Sequence, residues 1–166
     1  MKFLIIISLL LIYDRLAHYI SYTILKNKTL KKRKWDLNIS CGKTDGGGIN
    51  TDIKKHADVP NFMLVKDIYN LPFKDKQFEW VLSSHTIEHV EYPEKFFKEL
   101  KRVGKNVVIV VPPLWDIGAS IFGFPYHRWT FLTFTKEHTK LPRHFPAPLS
   151  KTYMKLFGQR MSSKTF

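Results

Sequence analysis

The sequence predicts an α/β fold built on a parallel sheet, and three observations carry that expectation. From Trp35 onward, short apolar runs at residues 37–39, 62–65, 78–82 and 106–111 alternate with polar stretches. An amphipathic segment opening at Pro93 separates the last two runs. After Asn106 the final run is unbroken in branched aliphatic side chains, as suits a strand covered on both faces. Strands alternating with a helix indicate a parallel sheet, and ligands of such sheets bind at the carboxyl ends of the strands.

The first run opens the stretch LNISCGKTDGGGINTD, residues 37–52, around which the rest is organised. A strand that breaks into glycines lets backbone N–H groups approach a ligand closely. A carboxylate at the tip of the next strand, here Asp52, can accept hydrogen bonds from a ribose diol. A tight Gly-Gly-Gly hairpin with a solvent-facing Asp52 would fit the same letters. The run at residues 62–65 reads as a second buried strand leading to Asp67, and that at 78–82 as a third leading to Ser83 and Ser84. The helix between the last strands is well marked. Pro93 suits its first position, Phe96, Phe97, Leu100 and Val103 mark one face, lysines and Glu99 the other, and Gly104 stops it.

With 166 residues, 44% of them hydrophobic, the chain can bury one core, so one sheet domain is expected. A lone Cys41 excludes an intramolecular disulfide and a Cys-rich zinc site. The net charge of +13 is partly local, because Lys26, Lys28, Lys31, Lys32, Arg33 and Lys34 cluster; a nucleic-acid partner does not follow from the total. That cluster follows an apolar N-terminus. Residues 3–13 are apolar except Ser8, Asp14 and Arg15 interrupt, and residues 16–25 are again mostly apolar. As one helix, this segment is about as long as a bilayer core is thick, but the charged pair near its middle is costly there. A cleaved signal peptide lacks a small-residue cleavage site, and a buried helix remains open. An uncleaved anchor followed by a polybasic flank accounts for both features and places the remainder on the cytoplasmic side.

The order LNISCG, NTDI, KDIYNLPFKDKQFEWVLSSHTIEHV, helix, NVVIVVPP resembles class I S-adenosylmethionine-dependent methyltransferases, most of all the small type 11 group, over about residues 35–113. The DIYNLPF block followed by SSHTIEH is its most specific part. The resemblance implies a Rossmann-like sheet and S-adenosylmethionine as cofactor. It implies that Cys41, Gly42 and Lys43 hold the methionine end, Asp52 the ribose hydroxyls, and Asp67 with Ile68 the adenine, with Ser84 at the end of a neighbouring strand. The sequence departs from the family at Asn38, Ser40 and Thr44, where an acid and two glycines are usual. Only nine residues separate Gly42 from Asp52, too few for a crossover helix. A non-catalytic methyltransferase-like binding module is the alternative that these departures support.

His85-Thr86-Ile87-Glu88-His89 also fits H-x-x-E-H, in which two histidines share a helix face as zinc ligands. The family resemblance accounts for the same residues, so the zinc hydrolase is the lesser alternative and no bound metal is expected. After residue 111 the aromatic-rich stretch LWDIGASIFGFPYHRWTF would either shape the acceptor site or plug the sheet edge with its aromatics; His127, as a neutral general base, and His85 are the catalytic candidates. Either the sheet is shorter than usual, or a strand from residues 129–134 replaces its missing final hairpin. The organisation expected is an anchor or hydrophobic helix over 1–25, a polybasic linker over 26–34, a shortened methyltransferase-like domain over 35–137, and a basic Pro-containing tail over 138–166. The acceptor is expected to be a small or lipid-like molecule, with the membrane as a second partner.

Overall fold

The computed structural model describes residues 2–121, 126–148 and 150–157. Residues 122–125 of the irregular stretch and 158–166 of the expected tail lie outside them. The chain enters through one continuous helix, α1 (Lys2–His18), a π-helical turn (Tyr19–Leu25) and α2 (Lys26–Leu30). The strands β1 (Trp35–Ile39), β2 (Gly47–Asp52), β3 (Phe62–Leu64), β4 (Phe78–Ser84) and β5 (Gly104–Val110) follow, with α3 (Pro93–Val103) before β5. After α4 (Ile117–Ser120) come β6 (Trp129–Phe131), β7 (Glu137–His138), β8 (His144–Pro146) and α5 (Ser150–Phe157).

Among the described residues the main sheet has six strands in the order β3-β2-β1-β4-β5-β7, all parallel except β7, which runs antiparallel to β5. The chain builds outward from β1 in one direction, then crosses to β4 and builds outward in the other. That is the Rossmann-like arrangement, with its switch point between β1 and β4. The strand that closes the edge is not residues 129–134. Trp129–Phe131 pairs with β8 in a separate two-stranded sheet, and β7 takes the edge instead. The sheet therefore reaches residue 138, and β8 and α5 lie within the expected tail.

Core packing follows the branched-aliphatic pattern. Leu37, Ile39, Val81, Val107 and Ile109 meet Phe96, Leu100 and Val103 of α3 on one face, while Trp35, Leu82, Val108 and Val110 cluster on the other. The run at residues 62–65 is less buried than expected: only Val65 is buried, and Met63 and Leu64 are exposed at the sheet edge. Glu99 also departs from its expected solvent face. It is buried on α3, accepts the Leu71 N–H at 2.7 Å, and is bonded by Arg102. Arg102 in turn donates to the Leu71 and Phe73 carbonyls at 2.9 and 2.8 Å. A charge can be buried where such bonds satisfy it, and this pair clamps the Leu-Pro-Phe loop onto the helix.

Residues 40–46, all described, form no helix between β1 and β2. The chain instead returns across the sheet as an extended loop whose backbone is satisfied by two buried amides. Asn38 Nδ2 donates to Thr44 O and Asn50 Oδ1, both at 3.0 Å, and the Gly46 N–H donates to Asn50 Oδ1 at 2.9 Å. Asn38 thus supplies the donor that the Thr44 carbonyl and Asn50 need, which an ionised acid at this position could not. Gly48 is required by contact: a Cβ there would lie 2.4 Å from the Trp35 carbonyl oxygen.

The helix Lys2–Lys31 is unbroken through the expected boundary at residue 25. Its second half is bonded to the sheet domain on one face. Tyr13 OH donates to Trp115 O, Asp14 accepts the Gly118 N–H at 2.8 Å, Ser21 meets Lys136 Nζ at 2.6 Å, and Thr29 donates to Glu137 at 2.6 Å. Beyond it, Trp35 Nε1 donates to Leu30 O, and the Arg33 guanidinium lies 3.5 Å from the Trp80 ring centre. The first half, from Phe3 to Ile12, projects with its large apolar side chains exposed, Phe3 at 73%.

Candidate active site at the switch point of the sheet

The switch point opens into a cavity of ≈ 330 Å³, near the lower end for small-ligand pockets. Loop residues Ser40–Thr44 after β1, Ser84 and His85 after β4, and Tyr22, Thr23, Lys26 and Asn27 of the N-terminal helix line it. Ser40 and His85 each adopt left-handed backbone, at φ 55°. Non-glycine residues rarely take that conformation, which here turns both strand ends sharply into the cavity. Cys41, Gly42, Lys43, Ser84 and His85 thus share the cavity wall. Asp52, Asp67, Ile68 and His127 are outside its lining.

Asp52 is buried just beneath the glycine loop. Its carboxylate accepts the Gly42 N–H at 2.9 Å and the Ile53 N–H at 2.8 Å, so it holds the loop against the end of β2. Asp67 is exposed and accepts the Tyr69 N–H at 2.8 Å; Ile68 packs against the core. Tyr69 OH accepts the Glu91 and Tyr92 N–H groups, which ties this block to the start of α3. Cys41 has no nucleophilic character. Burial and the neighbouring Asp52 charge push its thiol up to about 12, so it stays protonated.

The H-x-x-E-H letters do not form a helix: residues 85–90 are a turn, so His85 and His89 do not share a helix face. His85 donates Nδ1–H to Glu88 at 3.0 Å, since a carboxylate only accepts, and its Nε2 is then the lone-pair nitrogen. Burial, with the Lys136 charge adding to it, pushes His85 down to about 4. Burial works against ionisation of Glu88, but the His85 bond and the surrounding histidines prevail and keep it below the usual carboxylate range. Ser84 Oγ and His85 Nε2, both buried, have no hydrogen-bond partner among the described residues. His127 lies beyond this pair, its ring 4.7 Å from that of His89, and burial pushes it down to about 4 as well.

These shifts fix the sign of the acid response. His85 and His127 bind protons more weakly folded than unfolded, so between pH 6.5 and about 4 the unfolded chain takes up more protons. Glu88, depressed in the fold, adds a loss below its ordinary value of 4.5. Lys136 and Lys26 near His85, and His89 beside His127, add to both histidine shifts, while Glu88 and Asp116 oppose them. Stability is expected to fall continuously as pH drops from 6.5 through 4. Denaturant melts at stepped pH would show a flat midpoint between pH 6.5 and about 4.5 if both rings were exposed.

Residues 47–111 match the family described as a methyltransferase domain. That segment belongs to the methyltransferase-domain family. The chain is also 47% identical over 49 residues to norajmaline N-methyltransferase of Rauvolfia serpentina, a stretch covering 28% of this chain and 17% of that protein. Among solved structures, a SAM-dependent methyltransferase of Thermotoga maritima described as a possible histamine N-methyltransferase is 22% identical. The overlap covers 64% of this chain and 59% of that one, with a TM-score of 0.42. A SAM-dependent methyltransferase of Methanosarcina mazei is 16% identical over 80% of this chain and 82% of its own, with a TM-score of 0.41. The Haloferax volcanii complex between the Trm112 methyltransferase activator and a methyltransferase overlaps at 15% identity, 60% and 59% coverage and a TM-score of 0.42. The methyltransferase domain itself rests on the matched segment and on its strand order.

Proposed function

We propose that the chain is an S-adenosylmethionine-dependent methyltransferase attached to a membrane surface, acting on a small or lipid-like acceptor. The observation that carries this reading is the cavity at the β1/β4 switch point, with the glycine loop on one side and the unpartnered Ser84 Oγ and His85 Nε2 on the other. Unpartnered buried polar atoms are costly, and a polar ligand would satisfy them. Cys41, Gly42, Lys43 and Ser84 would hold the cofactor, with Asp52, Asp67 and Ile68 on its nucleoside side. When bound, the cofactor supplies an electrophilic methyl group.

The chain's own part is orientation and proton handling. Tyr22, Thr23 and Lys26 of the helix supply one wall of the cavity. His85 Nε2 would take the proton of the acceptor, and Glu88, bonded to the other ring nitrogen, would stabilise the imidazolium that forms. His127 Nδ1 is bonded to Ala119 O, which leaves its ring beside His89 rather than on the cavity wall. While the basic cluster starts about 21 Å further along the same helix, membrane attachment would come from the exposed apolar residues 3–12 with Lys2 beside them. A free helix of that length reaches about 15 Å at 1.5 Å per residue, half of a bilayer core of about 30 Å, so it would enter one leaflet. The domain would then sit on the cytoplasmic face.

One observation favours a second reading, a non-catalytic binding module: both Asp52 oxygens already hold backbone N–H groups. Calorimetric titration of the full chain with S-adenosylmethionine and S-adenosylhomocysteine separates the two. Stoichiometric binding of both is expected. A folded chain that binds neither is the non-catalytic module.

A further inference from the structure

We propose that Glu88, His89 and His127 form a site for a divalent first-row cation, joined to the cofactor cavity through the bond from Glu88 to His85. One ligand atom from each of the three lies within 4.8 Å of the others. Ligands about 2.0–2.2 Å from one ion are roughly 3–3.6 Å apart, so side-chain rotation of about an ångström closes the set.

The hydrogen bonds of the three residues orient them for this. His89 donates Nδ1–H to Tyr126 O at 2.9 Å, and His127 donates Nδ1–H to Ala119 O at 2.6 Å, since a carbonyl oxygen can only accept. In each neutral ring the lone pair is therefore on Nε2. Metal-bound imidazoles show the same arrangement, with the remote N–H held by a backbone carbonyl that fixes tautomer and ring orientation. Glu88 is completely buried, gives one oxygen to His85, and has no hydrogen-bond partner for the other, Oε2, among the described residues. An ionised buried oxygen without a donor is costly, and a cation would satisfy it.

The backbone brings the distant member into place. The Glu88 carbonyl accepts the Arg128 N–H at 2.7 Å and the Trp129 N–H at 3.2 Å, and Trp129 Nε1 donates to Val90 O at 2.9 Å. The turn at 85–90 and the entry to β6 are thus bonded together on both sides of His127. Two imidazoles and one carboxylate leave coordination positions open, and that donor set suits zinc, cobalt, iron or manganese better than calcium. This set differs from the one expected from H-x-x-E-H, because His85 is taken by Glu88 and His127 replaces it.

Glu88 links the two sites through His85, which lines the cofactor cavity. A cation held by Glu88 would bind the acceptor through oxygen, as a Lewis acid that lowers the pKa of a hydroxyl and orients it. The acceptor class is then a hydroxyl compound able to coordinate a metal. This acceptor role rests on the methyltransferase reading; cation binding does not.

The test is titration of the metal-free full chain with Co²⁺, followed by its visible absorption, with Mn²⁺ binding read by electron paramagnetic resonance. Wild type is expected to take up one Co²⁺ per chain. His127→Ala and Glu88→Gln should each weaken binding by about tenfold or more, given that even outer-shell losses cost about 10–100-fold. Circular dichroism of His127→Ala, whose side chain is half-buried, keeps the test valid if Glu88→Gln does not fold. Wild type that binds S-adenosylhomocysteine but no stoichiometric cation overturns the site alone, as does His127→Ala with unchanged Co²⁺ affinity. A chain that binds Co²⁺ but no cofactor keeps the site and overturns the acceptor role.

Discussion

A chain lacking residues 1–31 is expected not to fold, whereas a chain lacking residues 1–12 is expected to fold and to lose its membrane attachment. The longer deletion removes Ser21 from Lys136, Thr29 from Glu137, Asp14 from the Gly118 N–H and the Leu30 carbonyl from Trp35. Lys136 is buried between Glu88 and Asp116, and the Trp35 side of the sheet would be uncovered. Each lost bond costs about 0.5–1.5 kcal/mol and each large apolar side chain uncovered about 1.5–3 kcal/mol, and together these losses approach a total domain stability of about 5–15 kcal/mol. The shorter deletion touches none of these bonds. Thermal melts by circular dichroism and flotation with anionic vesicles check both arms. A cooperative melt from residues 32–166 would show that the sheet domain is independent of its helix. Vesicle binding unchanged without residues 1–12 would reject the membrane role.

Asp52→Ala is expected to reduce both stability and cofactor affinity, and the two effects have separate causes. Loss of the carboxylate leaves the Gly42 and Ile53 N–H groups without a partner and releases the glycine loop. That costs about 1–3 kcal/mol of stability. Removing the ribose acceptor would weaken cofactor binding by about 1.5–3 kcal/mol, the range for a hydrogen bond to a charged group. Asp67→Ala is the comparison, since Asp67 is exposed and accepts the nearby Tyr69 N–H. It should weaken the cofactor without moving the melt. Calorimetry with S-adenosylhomocysteine alongside denaturant melts measures both quantities. Wild-type affinity in the two variants together would remove the nucleoside from this end of the sheet.

Local chemistry made parts of the site legible in advance. The carboxyl ends of β1 and β4 were readable because a short apolar run that stops at a small polar residue marks a buried strand leaving the sheet. For that reason Gly42, Lys43, Ser84 and His85 are found together. The partners of His85 were not readable in the same way. H-x-x-E-H at four-residue spacing reads as one helix face, but the positive φ of His85 breaks the helical path and pairs it with Glu88 instead. Glu99 was misplaced for a related reason: periodicity sorts side chains by polarity and carries no information about the backbone N–H of Leu71 that needs an acceptor.

The sequence by itself determined the class of the sheet, the helix α3 with its Pro93 start and buried face, the extended return at residues 40–46, and the apolar character of residues 3–12. These depend on contacts within a few residues, or on chain lengths too short for a helix. Only the tertiary structure decided where the N-terminal helix docks, that its Tyr22 and Lys26 help wall the cavity, and that β7 rather than residues 129–134 closes the sheet. It alone brought His127 beside His89 and Glu88, across a separation of about forty residues. Those placements are set by which buried donors and acceptors find partners across the whole chain, and a long-range pairing of that kind leaves no periodic trace in the order of the residues.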